Sequence, residues 1–143
     1  MLRHRQIRRA LVAAFTLAAL VIPGTAGTAG AATTVSTKVC DYDWQRGTWR
    51  IKRLILCAAR RWDSPGTPQE AVVVARCESH LRPSAYNPNG YAGLFQQATR
   101  YWPGRADQWG QPDRSVFNGR ANIIVSVRMA AAQGSWSAWG GCA

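Results

Sequence analysis

Between Trp49 and Trp62 the chain reads WRIKRLILCAARRW, with Ile51, Leu54, Ile55, Ala58 and Trp62 recurring at helical spacing and Arg50, Arg53, Arg60 and Arg61 on the other side. This pattern predicts an amphipathic helix whose arginines form a solvated basic face or a cell-wall contact. The sequence DSPG breaks it. Thr67, Pro68 and Glu70 then supply an N-cap, a first-turn proline and a capping-box acid, which start a second helix. Val72, Val73 and Val74 favour a strand by propensity, but the capping signal and the length through Ser79 favour helix. On that helix Ala71, Val74, Ala75 and Glu78 share one stripe, so a carboxylate projects from the C-terminal end of an apolar surface.

From His80 to Tyr91 the segment HLRPSAYNPNGY is dense in turn formers, and Asn87-Pro88-Asn89-Gly90 suits a tight turn or a very short hairpin. AGLFQQATRYW is expected to form a short helix and PGRADQWGQPD a loop. Asn118 is a good N-cap for the longest predicted helix, GRANIIVSVRMAAAQ, which Gly134 closes. The tail GSWSAWGGCA is aromatic and glycine-rich, and Cys142 is expected to staple it to the body. Residues 32–48 show no periodicity and read as an N-terminal leader tied down by Cys40, ahead of a domain spanning 49–143.

The first 31 residues read as an export signal. Arg3, Arg5, Arg8 and Arg9 form a basic front, a 13-residue apolar run extends from Ala10 to Ile22, and Ala29-Gly30-Ala31 offers a small-x-small cleavage site. A bilayer span needs about 20 apolar residues, so a membrane anchor is not expected. Arg8-Arg9 also loosely resembles a twin-arginine signal. Four of the 18 basic residues and none of the 7 acids fall in this segment, leaving 14 bases against 7 acids, a formal charge of +7. Such a surface attracts polyanions or serves solubility; export argues against nucleic acid and leaves anionic wall polymers or lipid headgroups.

Four cysteines remain after export, Cys40, Cys57, Cys77 and Cys142, an even number that implies two disulfides with three possible connectivities. No C-x-x-C pair occurs and His80 is the sole histidine left, so neither a metal nor another cofactor is expected. A nucleophilic serine in a G-x-S-x-G turn and a glycine-rich phosphate loop are both missing from the sequence. Glu78 is the candidate for chemistry. A carboxyl at the C-terminal pole of a helix and partly in apolar surroundings is biased towards its protonated form, which makes it a general acid able to protonate a glycosidic oxygen.

The motifs around Glu78 resemble those of the lysozyme-like superfamily of peptidoglycan-cleaving enzymes, in particular soluble lytic transglycosylase domains and resuscitation-promoting factors. Glu78-Ser79 matches the family's helix-ending Glu-Ser pair. Gly93-Leu94-Phe95-Gln96 matches its Gly-Leu-Met-Gln segment with Phe for Met, and Asn122-Ile123 matches its Asn-Ile pair. Cys77 before the acid, the Asn89-Gly90-Tyr91 turn and the GSWSAWGGC tail, which has one extra residue between Gly134 and Trp136, match the resuscitation-promoting relatives. The resemblance covers Thr67 to Cys142. It implies a predominantly helical, disulfide-stapled α+β lysozyme-like fold with a short hairpin or loop flanking the cleft. It further implies Glu78 as catalytic acid and Ser79, Tyr91, Phe95, Gln96 and Asn122 at the saccharide-binding site. Ser79 also suits a helix-end hydrogen bond, and Gln96 a buried amide bracing the loop. Trp102, Trp109, Trp136 and Trp139 suit either sugar stacking or packing. The relatives imply a Cys77–Cys142 bridge, leaving Cys40 with Cys57.

Ordinary glycosidases use two carboxylates, and Asp41, Asp43, Asp63, Glu70, Asp107 and Asp113 all lie outside the loop where a partner for Glu78 is expected. A single acid suits lytic transglycosylation. Simple hydrolysis stays as the alternative if Asp107 or Asp113 reaches the cleft. A non-catalytic cationic wall-binding protein and an antibacterial protein acting on membranes are the other classes compatible with the charge. The expected product is a secreted or wall-associated monomer acting on peptidoglycan glycan strands.

Overall fold

The computed structural model describes residues 39–143; the export signal assigned to 1–31 and the beginning of the leader lie outside the described residues. Helix α1 (Thr48–Arg61) buries Ile51, Leu54, Ile55 and Ala58 as its spacing predicts, together with Ala59, while Trp62 sits at its C-cap and is only partly buried. It packs on α2 (Pro68–Ser79) and on α4 (Gly119–Gln133). Every residue of α4 from Ala121 to Val127 is buried, the signature of a helix surrounded on all sides. Asn118 caps it as expected, its side-chain oxygen accepting from the Ala121 N–H at 3.0 Å, and Gly134 ends it in the left-handed conformation.

The α2 start departs from the expected capping box. Thr67 makes no side-chain cap bond; the Glu70 N–H donates to the Thr67 carbonyl instead. Pro68 has already removed one orphan donor, and the Glu70 carboxylate folds against Gly66, in space any larger side chain there would occupy. At its other end α2 stops abruptly. His80 and Leu81 both adopt positive φ, 55° and 61°, turning the chain away immediately after Glu78-Ser79.

Three two-residue strands follow: β1 (Tyr86–Asn87), β2 (Tyr91–Ala92) and β3 (Gln97–Ala98), antiparallel in the order β1-β2-β3. Asn87 pairs with Tyr91, so the predicted Asn-Pro-Asn-Gly hairpin forms, with Asn87 accepting from the Asn89 N–H at 2.9 Å and Gly90 at φ 88°. The short helix expected over AGLFQQATRYW does not form. Its first half is β2, a tight turn at 93–96 and β3, with Ala92 opposite Gln97. Gly93 and Gln96 take positive φ, 78° and 44°, which no helix accommodates. A 3-10 turn at Thr99–Tyr101 leads into helix α3 (Trp102–Gln108), which occupies ground read as loop; Pro103 lies in its first turn, where proline is tolerated.

The leader is fixed by more than its cysteine. Arg120, in the first turn of α4, donates to the carbonyls of Val39, Cys40 and Tyr42 at 3.0, 2.9 and 3.4 Å. Trp44 lies flat against Gly119, where a Cβ would strike its ring. The disulfides are Cys40–Cys57 and Cys77–Cys142, with sequence separations of 17 and 65. The described residues thus form an α+β body, mostly helical, with a small antiparallel sheet and two cross-links. None of its helices is long and apolar enough to cross a membrane.

Candidate functional site

The C-terminal end of α2, the three-stranded sheet, the 3-10 turn and α3 surround a groove of about 480 Å³, closed on one side by the tail from Ala138 to Gly141. Glu78 enters it from the last turn of α2, half-buried. Burial raises the Glu78 carboxyl above the ordinary glutamate value of 4.5, because desolvation penalises the ionised form. This agrees with the expected direction, with burial as its cause. Among the described residues, the single ion pair joins Arg120 to Asp41 at 4.0 Å, so no cation draws the Glu78 charge out.

Of the residues assigned to saccharide binding, Tyr91 and Gln96 line this groove beside Glu78. Tyr91 is exposed, so its ring face is free to meet a ligand. Gln96 is partly buried and donates from Nε2 to the Gly93 carbonyl at 3.0 Å, which leaves its amide oxygen for the groove. Ser79, Phe95 and Asn122 do not line it. All three are buried and spend their polar groups inward. The single proton of the Ser79 hydroxyl has the Leu94 carbonyl at 2.8 Å as its nearest acceptor, with the Ala75 carbonyl at 3.1 Å also in reach. Asn122 accepts from the Phe95 N–H at 2.9 Å and donates to Val116 O at 3.0 Å and Ala92 O at 3.4 Å. The Phe95 ring is stacked on Trp136 at 5.8 Å and meets the Trp139 edge at 6.1 Å.

These three residues are better described as the frame of the groove. The tight turn at 93–96 buries backbone groups that its own ladder cannot satisfy, and each finds a partner from a different element: Ser79 from α2, Asn122 from α4, and the Trp139 indole N–H, which donates to Phe95 O at 2.8 Å. That threefold fastening is what holds Gln96 at positive φ next to Glu78. The tryptophans behave mainly as packing. Trp102, Trp136 and Trp139 are buried, with indole N–H groups donating to Arg114 O, Pro65 O and Phe95 O, although Trp139 also backs the groove.

Sequence patterns gave no role to Gln97, Arg100, Tyr101 and Arg105, yet all four line the groove. Arg105 donates to Gln97 Oε1 at 2.6 Å, and Gln97, itself buried, donates to Ser126 Oγ at 2.8 Å. The Arg100 and Arg105 guanidinium groups lie 4.7 and 5.3 Å from the Tyr101 ring centre. The interleaving of basic and aromatic residues in TRYWPGR was the available signal.

The other acids lie elsewhere. Asp107 and Asp113 share a separate depression with Trp102 and Pro103, and Glu70 borders another with Gly66 and Trp136. A second groove of nearly equal volume, about 470 Å³, runs over the leader where Arg120 faces Asp41. Chemistry rather than size separates the two, since the groove at α2 alone holds a carboxyl with raised pKa and no ionic partner. The described residues hold no cluster of three metal-ligating side chains. Comparison of the chain with protein-family models, with curated proteins and with solved structures returns no match.

Proposed function

We propose that the chain is a secreted peptidoglycan lytic transglycosylase with a lysozyme-like fold, cleaving the bond between N-acetylmuramic acid and N-acetylglucosamine through the single carboxyl of Glu78. The observation that carries this reading is that, of the 7 acids in the chain, Glu78 alone lines the groove at the end of α2. Burial biases its carboxyl towards the protonated, proton-donating form. The protonated carboxyl gives its proton to the glycosidic oxygen as the bond to C1 of the muramic residue breaks. The resulting carboxylate then takes the proton of the same residue's 6-hydroxyl while O6 bonds to C1. The product is a 1,6-anhydro sugar, the acid is regenerated and no water is consumed.

Hydrolysis in the two-carboxylate manner needs a second acid about 5–9.5 Å from the first. The positions of Asp107 and Asp113 in a separate depression argue against it. Two disulfides accord with an oxidising, extracellular setting, as does the export signal. The basic face of α1 favours a second reading, a non-catalytic cationic wall-binding protein, in which the groove grips saccharide without cutting it.

Mass spectrometry of fragments released from purified peptidoglycan separates these readings. Anhydro ends are expected, with release abolished in a folded Glu78→Gln variant. Reducing ends would replace transglycosylation by hydrolysis. Binding without release, unchanged in Glu78→Gln and weakened by salt, would leave the wall-binding reading.

A further inference from the structure

Arginines in this protein divide by what their guanidinium groups are committed to. Arg120 spends two nitrogens on three backbone carbonyls and also faces Asp41. Arg105 is the opposite case. It is partly buried in the wall of the groove and makes one side-chain hydrogen bond, through Nη1 to Gln97 Oε1 at 2.6 Å. No carboxylate among the described residues lies within ion-pair distance, Glu78 included, although both line the same groove. A guanidinium carries five N–H donors in a rigid fork, so most of those on Arg105 are uncommitted. Desolvation weighs against its charged form, a cost that an anion in the groove offsets. Its orientation is set from beneath by the buried Gln97–Ser126 bond and from the side by Tyr101, over which Arg100 also lies.

Building on the peptidoglycan reading, we infer that Arg105, assisted by Arg100, forms a subsite that binds a carboxylate of the glycan substrate in the groove that holds Glu78. The planar fork matches a carboxylate bidentately, a geometry a neutral sugar hydroxyl does not offer. Such a carboxylate has two sources in peptidoglycan. One is the lactyl ether of N-acetylmuramic acid where the stem peptide has been removed, and the other is the stem peptide itself. In either case the subsite selects acidic strands over neutral amino-sugar polymers and fixes which sugar presents its glycosidic oxygen to Glu78.

The test is binding without turnover, by calorimetry on the Glu78→Gln chain, with three ligands: neutral chito-oligosaccharide, denuded glycan strands with free lactyl carboxylates, and strands bearing stem peptides. Carboxylate-bearing strands are expected to bind about tenfold tighter than the neutral oligomer. That preference should fall about tenfold on adding Arg105→Gln and return in part with Arg105→Lys. Arg100→Gln, at an exposed position with no tie to Gln97, should lower it without disturbing the melting temperature. Tighter binding of denuded strands assigns the lactyl carboxylate, and tighter binding of peptide-bearing strands assigns the stem. Equal affinity for all three ligands, or a preference that survives Arg105→Gln in a folded chain, would overturn the inference. Absence of cleavage by wild type would remove the enzymatic reading and leave this preference to stand or fall by itself.

Discussion

Ser79 donates its hydroxyl to the carbonyl of Leu94 at 2.8 Å, joining the residue after Glu78 to the tight turn that ends in Gln96. The bond spans 15 residues of sequence and fixes the two flanks of the groove relative to each other. A Ser79→Ala change leaves the Leu94 carbonyl buried without that donor and should cost about 1–3 kcal/mol in urea denaturation. An unchanged denaturation midpoint would show that this link contributes nothing to stability.

Gly93 and Asn122 fit against each other in the same manner. Any side chain at Gly93 would overlap the Asn122 amide and the Val116 carbonyl, at a φ of 78° that already disfavours L residues. Gly93→Ala should therefore cost about 3 kcal/mol or more. Asn122→Leu, which leaves the Phe95 N–H and two carbonyls unpaired, should be at least as damaging, about 3–5 kcal/mol. Chemical denaturation of both variants checks the ranking, and a near-neutral Gly93→Ala would contradict the close approach.

The direction of the Glu78 shift fixes a pH dependence. Its folded pKa lies above the unfolded value, so the native state holds more protons across that interval and stability falls as pH rises through it. The carboxyl's contribution is complete below the ordinary glutamate range and lost above the folded pKa. Glu78→Gln removes this term, so the melting temperature of the variant should gain on wild type as pH rises through and beyond the glutamate range. A difference between the two that stays flat with pH would contradict the desolvated state of the carboxyl. In the proposed reaction Glu78 must start protonated, so cleavage by that route should decline over the same rise.

The two disulfides should differ in consequence. In the chain-entropy view the bridge spanning 65 residues contributes about 4 kcal/mol and the one spanning 17 about 3 kcal/mol. Cys77–Cys142 also holds the tail that walls the groove, one residue from Glu78. Cys77→Ser with Cys142→Ser should therefore depress activity well below what its loss of stability explains, whereas Cys40→Ser with Cys57→Ser should act through stability alone. Activity measured at temperatures where each variant is fully folded distinguishes the two, and equal activity losses would contradict the assignment.

The helices were legible where the chain carries its own instructions. Ile51, Leu54, Ile55 and Ala58 announce the buried face of α1, and Asn118 and Gly134 mark both ends of α4. The hairpin was legible for the same reason, since Asn87 and Gly90 supply its turn chemistry locally. The turn at 93–96 was not, because what forces it is remote: Asn122 lies 27 residues beyond the Phe95 N–H it accepts from. Alternative local propensities lost to those buried polar bonds. Phe95 was misplaced in the cleft because a motif gives a residue's neighbours in sequence, whereas Trp136 and Trp139 claim its ring in space. Arg105 escaped notice since its value lies in having no acidic neighbour, a property only three dimensions reveal.

Cys142 and Ala143 border the depression they share with Pro65, Gly66, Val73 and Trp136, whereas Gly140 and Gly141, just ahead of them, wall the groove that holds Glu78. One short stretch of tail therefore borders two depressions, and an environment-sensitive fluorophore placed at exposed Val73, in the second, would sense the tail without replacing any side chain of the groove. Displacement of that shared tail could then be followed optically in real time.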